Sequence, residues 1–142
     1  MKLDFRRLDL QLAHTWTIAR SKGTNIFKVV VVELTGAEGT VGLGEAAPTA
    51  RYKESVDSVE AFLKKVDPRG LSFTDVPGSM KYLDTLSRHD MSAKCAINIA
   101  LLDGAAKRAK KPICDLLGLG FRENQHVTSF TIGIDKPEVI RS

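Results

Sequence analysis

Hydrophobic and polar residues alternate along much of the first 45 residues, and this period of two predicts β-strands. Residues 26–34 (IFKVVVVEL) are the strongest predicted strand, because β-branched residues crowd its centre. Residues 35–39 supply glycine-rich turn chemistry, and residues 40–45 return as a shorter strand. Together with a first strand near the N-terminus, the pattern predicts a three-stranded antiparallel meander.

The first strand changes phase along its length. Its apolar residues fall into two alternating sets, Leu3 and Phe5, then Leu8, Leu10 and Leu12. This slip near Arg6 and Arg7 indicates either a bulge or a change of buried face. A polar loop is predicted over residues 13–25, and its thirteen residues are too many for a simple hairpin turn and typical of a functional loop.

Residues 46–118 change to a helical period. One apolar stripe consists of Val56, Val59, Phe62, Leu63 and Val66. Residues 67–70 (DPRG) end this helix, and a second helix is predicted near Pro77 with Asp75 or Thr74 as its cap. Its inward positions are Met80, Leu83 and Leu86.

A third helix is predicted after Ser92, with a close-packing face made of Ala93, Ala96, Ile97, Ala100, Leu101 and Gly104. Pro112 then starts a short helical turn that Gly118 ends. A sheet followed by helices indicates an α+β domain. Cys95 and Cys114 lie among these apolar stripes, and we expect both to be inert core residues.

Residues 126–134 (HVTSFTIGI) predict a further strand, well separated from the meander. Asp135 and Glu138 follow as a D-x-x-E capping box with Pro137 in the first helical turn. A strand that leads directly into a helix opens a βα unit, which needs another strand to be buried. We therefore expect this sequence to be a truncated part of a longer protein.

Composition restricts the class of protein. With 43% hydrophobic and 27% charged residues among 142, the chain resembles soluble globular proteins. Its longest apolar run, Val29–Val32, is far shorter than the roughly 20 residues of a bilayer span, and charges interrupt the N-terminal segment. We expect a cytoplasmic protein without a membrane partner.

The net charge of +4 does not require a nucleic-acid partner. The densest basic stretch, residues 107–111 (KRAKK), lies at a predicted helix end, where cations offset the helix dipole, and Lys94 precedes it on the same helix. No aromatic residues interleave with these charges to stack on bases. We interpret the stretch as a solvated helix end and expect no nucleic-acid binding.

Residues 42–47 (GLGEAA) match the pattern G-x-G-x-x-A after a strand. A dinucleotide-binding loop of this type opens directly into a helix. Here Pro48 follows instead, and the next helix is predicted to start only near Ser55. We interpret the glycines as allowing a tight exit from the strand.

Four segments carry a wider resemblance, namely residues 17–24 (TIARSKGT), 41–49 (VGLGEAAPT), 91–104 (MSAKCAINIALLDG) and 112–118 (PICDLLG). In this order they resemble the N-terminal part of the enolase superfamily, in its muconate-lactonizing branch, and most of all the dipeptide epimerases. The resemblance covers nearly the whole chain. It implies an N-terminal α+β capping domain over residues 1–122 and the start of a (β/α) barrel over residues 123–142.

The resemblance also implies how a site would be organised. Residues 13–25 and 48–54 match two loops that close over the substrate, and residues 126–134 match the first barrel strand. A complete barrel needs some 250 residues, so most of it would follow this sequence.

The activity implied by the resemblance is epimerisation of an Ala-Glu-type dipeptide. One lysine removes the proton α to a carboxylate, a second lysine returns it, and Mg²⁺ stabilises the enediolate, as the enolase superfamily is known to do. Those lysines and the Mg²⁺ ligands lie on later barrel strands in the family. We therefore assign no catalytic residue and no metal ligand within this chain, and expect the ligands beyond residue 142.

Three residues are candidates for binding the substrate. Arg20 matches a loop arginine that pairs with the side-chain carboxylate of the dipeptide, for which a guanidinium is suited. Thr131 matches a barrel-strand threonine near the substrate's α-carboxylate, and Tyr52, like Trp16, lies in a loop that would wall the pocket. Each has a plain alternative: an exposed loop arginine, an ordinary strand threonine, and aromatic residues that serve domain packing.

Other activities remain open. The same branch contains muconate cycloisomerases, o-succinylbenzoate synthases and N-acylamino acid racemases, which share this capping domain. A different class is a non-catalytic interaction module that docks through the strand at 126–134, if the chain ends at residue 142. For the enzyme, we expect a small-molecule dipeptide substrate and a homo-oligomer.

Overall fold

The computed structural model describes residues 1–19, 23–129, 131 and 133–140. Its sheet consists of β1 (Lys2–Trp16), β2 (Thr24–Thr35) and β3 (Val41–Ala46), antiparallel and in the order β1-β2-β3. The helices that follow are α1 (Val56–Leu63), α2 (Val76–Leu86), α3 (Met91–Ala109), α4 (Ile113–Leu116) and α5 (Pro137–Ile140). The predicted meander and the order of sheet before helices are confirmed. Across these residues, no helix combines the length and the apolar character needed to cross a membrane.

The phase slip in β1 is a change of face. Pairing with β2 runs without a shift from Lys2 opposite Thr35 to Gln11 opposite Ile26, so there is no bulge near Arg6. Because successive side chains alternate between faces, Phe5 lies on the helix side, whereas Leu8 lies on the other side and is exposed. The irregularity in the ladder falls later, between Gln11 and Trp16.

The connection between the first two strands is shorter than the sequence predicts. β1 continues to Trp16 and β2 begins at Thr24, so the connection spans residues 17–23 and not 13–25. Residues 13–15 are exposed although they lie in a strand. A pair of strands that is solvated on both faces needs no apolar alternation, so the sequence pattern does not reveal residues 13–15 as part of a strand.

The core lies between one face of the sheet and α1–α3. From β2 it takes Val30, Val32 and Leu34, and from the helices chiefly Val59, Phe62, Leu63, Leu83, Ala93, Ala96, Ile97, Ala100 and Leu101. The predicted helix starts are confirmed: the Ser55 hydroxyl caps α1, and the Asp75 carboxylate accepts the Gly78 N–H at 2.9 Å to cap α2.

Gly42 and Gly44 allow α3 to lie directly on β3. A Cβ atom at Gly44 would come within 2.0 Å of the Ala96 carbonyl oxygen, and one at Gly42 within 2.0 Å of the Ala100 carbonyl oxygen. These glycines therefore serve helix–strand packing, not the tight strand exit that the sequence suggested.

The prediction that both cysteines are core residues is wrong. Cys95 is exposed and Cys114 is only half-buried. Consecutive helix positions are turned about 100° from each other, so Cys95 points away from the face on which Ala96 is buried. Lys94 is buried, whereas the basic residues 107–111 at the end of the same helix are exposed.

The predicted strand over residues 126–134 is not formed in the described part of this segment, which excludes residues 130 and 132. A strand is stabilised by hydrogen bonds to a neighbouring strand, and no described residue offers this segment such a ladder. The Ile134 N–H instead donates to the Thr17 carbonyl oxygen at 2.8 Å. The predicted helix start at Pro137 is confirmed, since α5 runs over Pro137–Ile140, while the Asp135 carboxylate accepts the N–H of Lys136 at 2.7 Å.

Candidate functional site

Two loops leave the sheet in the same direction. Ala46, the last residue of β3, pairs with Val30, so residues 24–29 of β2 extend about 20 Å beyond β3. Together with residues 8–16 of β1, which run beside them, they form a hairpin arm. The described residues of the connection, 17–19 and 23, lie at the far end of this hairpin arm, and the loop 48–54 follows the end of β3. The described parts of both segments expected to cover a substrate are therefore at one end of the domain.

The segment expected to begin the barrel contacts the hairpin arm. Gly133 lies against the Trp16 indole, because a Cβ there would be 3.4 Å from a ring carbon. The hydrogen bond from Ile134 to Thr17 joins the same two segments. Thr131 is exposed two residues before Gly133. The structure thus brings the segment of Thr131 to the arm that carries the 17–23 connection, while Arg20 itself lies outside the described residues.

The loop 48–54 is folded on itself around Thr49. The Thr49 carbonyl oxygen accepts the N–H of Tyr52 at 3.0 Å and that of Glu54 at 3.3 Å. Tyr52 is 70% exposed, and the Arg51 guanidinium lies over its ring, 5.9 Å from the centroid. The loop therefore presents the Tyr52 side chain outward, and its role as a pocket wall stays a prediction.

A cleft of about 880 Å³ lies beside this loop and the start of α3, a volume that suits a small ligand. Its lining includes Glu45, Tyr52, Glu54, His89, Ser92 and Cys95. No contact places Tyr52 near Thr131 among the residues that the structure describes. The cleft and the arm are thus two separate parts of the candidate site in this chain.

Glu54 is a site residue that sequence reasoning missed. Its carboxylate accepts the backbone N–H of Ser92 at 3.2 and 3.3 Å, and also the Ser92 hydroxyl. Thirty-eight positions separate the two residues, so no local pattern joins them. The available signal is a serine in the first turn of a helix, without an acidic residue in that turn to pair with it.

Arg7 ties the arm to the helical layer. Its guanidinium donates to both carboxylate oxygens of Glu60 at 2.7 Å, and to Asp57 at 2.5 Å. These hydrogen bonds lower the pKa of Glu60 and raise the pKa of Arg7. Because Asp57 and Glu60 belong to α1, the base of the arm is fixed to the domain while its far end extends beyond β3.

The described residues do not fit a metal site. Throughout the part of the chain that the structure describes, no three His, Cys, Asp or Glu side chains come together so as to hold an ion. The carboxylate of Glu54 is engaged by Ser92, and those of Asp57 and Glu60 by Arg7. We therefore derive no chemical step through a metal from these residues.

The architecture defines an α+β domain that carries helices on one sheet face and two loops at one end. The model of the mandelate racemase / muconate lactonizing enzyme, N-terminal domain, matches residues 11–118. The chain belongs to this family, which is part of the enolase superfamily, and the expected capping-domain fold is confirmed.

Several relatives are dipeptide epimerases. The chain is 57% identical over 143 residues to an L-Ala-D/L-amino acid epimerase of Pedosphaera parvula, covering 99% of this chain and 41% of that protein. It is 38% identical over 146 residues to an L-Ala-D/L-Glu epimerase of Bacteroides thetaiotaomicron, covering 100% and 37%. It thus spans about two fifths of the length of these curated relatives.

A solved structure supports the same assignment. The dipeptide epimerase of Enterococcus faecalis V583, complexed with Mg and the dipeptide L-Leu-L-Tyr, is similar with a TM-score of 0.79 and 30% identity. The match covers 97% of this chain and 39% of the other.

Proposed function

We propose that this chain is the N-terminal part of a Mg²⁺-dependent dipeptide epimerase, an isomerase, with residues 1–122 as its capping domain and 123–142 as the start of its barrel. The observation that carries the proposal is 57% identity over 99% of the chain to an L-Ala-D/L-amino acid epimerase. The proposal includes a cytoplasmic homo-oligomer with a small-molecule substrate and without a nucleic-acid or membrane partner.

In this proposal the reaction removes the proton α to a carboxylate of the dipeptide and returns it on the opposite face. The catalytic lysines and the Mg²⁺ ligands are expected beyond residue 142, and Mg²⁺ is supported by its presence in the Enterococcus faecalis complex. The residues of this chain bind the dipeptide and close over it. Covering the site excludes water, which strengthens the electrostatic interactions beneath the loops.

Arg20 is proposed to set the preference for an acidic second residue. It lies three positions after Thr17, whose carbonyl oxygen accepts the N–H of Ile134. A guanidinium can bind a carboxylate through two parallel hydrogen bonds. Thr131 is proposed to contact the dipeptide near its α-carboxylate, and Tyr52 to form a wall of the pocket.

The test compares substrates in the whole natural protein that contains this chain. Exchange of the Glu α-proton of Ala-Glu is followed by NMR in D₂O with Mg²⁺, beside a neutral dipeptide such as Ala-Leu. Loss of a charge-assisted hydrogen bond of about 1.5–3 kcal/mol predicts that Arg20→Met raises KM for Ala-Glu at least about tenfold. Arg6→Met, an exposed arginine of β1 outside both loops, is the matched control and should leave KM unchanged.

The competing possibility is a site that accepts many different second residues of the dipeptide, since the Pedosphaera parvula relative is named for amino acids in general. In that case wild-type protein would accept Ala-Leu as well as Ala-Glu, and Arg20→Met would change both alike. Equal losses on the two substrates would remove the carboxylate role from Arg20. Absence of exchange on every dipeptide would contradict the epimerase proposal itself.

A further inference from the structure

The loop that presents Tyr52 is held at both ends. At its start it continues from β3, which is paired with β2 up to Ala46. At its end, Glu54 is fixed to α3 through the Ser92 N–H and hydroxyl. Lys53, between them, has a left-handed backbone with φ of 60°, which turns the chain sharply just before Glu54.

Glu54 also supplies what α3 lacks at its N-terminus. Asp90 precedes the helix with φ of 62° and makes no side-chain capping hydrogen bond. The N–H of the second helical residue, here Ser92, is one that an N-cap side chain ordinarily satisfies. The Glu54 carboxylate takes this place from a distant loop, and a negative charge is favoured at this end of the helix dipole.

From these contacts we propose that Glu54 is a positioning residue, which holds the loop 48–54 against α3 and so fixes Tyr52 at the substrate. The inference rests on the proposed function, because it requires Tyr52 to wall the dipeptide pocket. Only Lys53 separates Tyr52 from Glu54 in the chain, and both of these residues donate their N–H to the same Thr49 carbonyl oxygen. Release of Glu54 therefore frees the segment that orients Tyr52.

The first measurement uses hydrogen exchange in the whole natural protein without substrate. The amides of Tyr52 and Glu54 should exchange about tenfold faster in Glu54→Ala, because the bonds to Thr49 open more often. Glu54→Gln retains a side-chain oxygen that can accept the Ser92 N–H, so it should restore part of the protection. Ser92→Ala, which removes only the hydroxyl donor, should have an intermediate effect.

The second measurement separates positioning from general damage. Glu54→Ala should raise KM for the dipeptide about fivefold while kcat stays within about twofold, because binding contacts weaken and the distant reacting groups are untouched. Glu38→Ala, in the turn between β2 and β3, is the matched control, since this glutamate pairs with Arg108 at 3.0 Å and touches neither loop. Exchange at Val59 in α1 checks that the fold is retained.

The outcomes of the exchange and kinetic measurements test the anchoring and the positioning separately. Unchanged exchange at Tyr52 and Glu54 would overturn the anchoring of the loop. Faster exchange with unchanged KM would overturn the positioning role and leave only a helix cap. If wild-type protein turns over no dipeptide, the proposed function fails, and exchange alone then decides whether Glu54 anchors the loop.

Discussion

The Asp103 carboxylate accepts the Leu43 backbone N–H at 2.8 Å, which joins α3 to the free side of β3. Lys107, one helical turn later, donates to the Val41 carbonyl oxygen at 3.0 Å and to Asp103 at 2.6 Å. Because β3 is an edge strand, these backbone groups face away from β2. The Asp103–Lys107 ion pair thus gives hydrogen-bond partners to two backbone groups of the edge strand, and it covers this edge against pairing with another chain.

Removing this pair should destabilise the chain and expose its edge. Asp103→Ala should lower the free energy of unfolding by about 1–2 kcal/mol, and Lys107→Met by about half as much, since water can solvate the Val41 carbonyl oxygen. Urea unfolding measures both, and light scattering follows association. Arg108→Ala, which breaks an exposed ion pair with Glu38, should cost less than about 0.5 kcal/mol. Equal costs for Asp103→Ala and Arg108→Ala would refute the edge role.

Gly44→Ala should be among the most damaging single-methyl additions in the chain. The new Cβ would meet the Ala96 carbonyl oxygen, a backbone atom that cannot move without shifting α3. We expect a loss of about 3 kcal/mol, at the upper end of typical overpacking costs. Gly36→Ala is the control, because its nearest neighbour, at 3.0 Å, is the flexible end of the Glu38 side chain. A cost below that of Gly36→Ala would contradict close packing of α3 on β3.

The two partners of the Lys94–Asp84 ion pair should differ in their cost of removal. Lys94 donates to Asp84 at 2.7 Å and to the Ser87 carbonyl oxygen at 2.6 Å. The side chain of Lys94 is 4% exposed and that of Asp84 is 68% exposed. Asp84→Ala leaves a buried cation without its counter-charge, and we expect a loss of about 2–3 kcal/mol. Lys94→Met leaves an aspartate that water solvates, and about 1 kcal/mol should be lost. Thermal unfolding of both variants decides the order, which the opposite ranking would disprove.

Asp67 should contribute to stability above pH 4 and cease to do so in acid. Hydrogen bonds from the Arg69 side chain and backbone lower the pKa of Asp67 from 3.8 to about 2. Because the folded pKa lies below the unfolded one, the contribution is complete above the ordinary value and is lost as pH falls from about 4 through about 2. Asp67→Asn should therefore destabilise the chain at pH 7 and make little difference below about pH 2. The effect should also shrink in high salt, because this ion pair is on the surface.

The helices could be predicted from sequence because their signals are local. The stripe through Val59 and Phe62, the Ser55 cap and the Asp75 cap all lie within a few residues of the elements they define. The strand centred on Val30 and Val32 was equally visible, because a two-layer core buries alternate residues of one face.

The remaining features depend on partners far away in the chain. Glu54 is paired with Ser92, and Lys94 owes its burial to the end of α2. Neither partner can be inferred from spacing along one helix. The strand expected at 126–134 is not formed in the described residues of that segment for a related reason, because an apolar alternation becomes a strand only where a neighbour completes its hydrogen bonds. The roles of Arg20, Thr131 and Tyr52 stay predictions.

The sequence of the hairpin arm can vary more freely than the sequence of the core. The buried strand residues of the core cluster are Val30, Val32 and Leu34 of β2 and Ala46 of β3, so the outer arm carries little of the free energy of folding in the described structure. Exposed substitutions away from packed features usually change stability by no more than about 0.5 kcal/mol. Mutations near the end of the arm could therefore accumulate in descendants without unfolding the domain. Under the proposed role of Arg20 in binding the dipeptide, substrate preference would then diverge through changes in one short segment while the core sequence stays constrained.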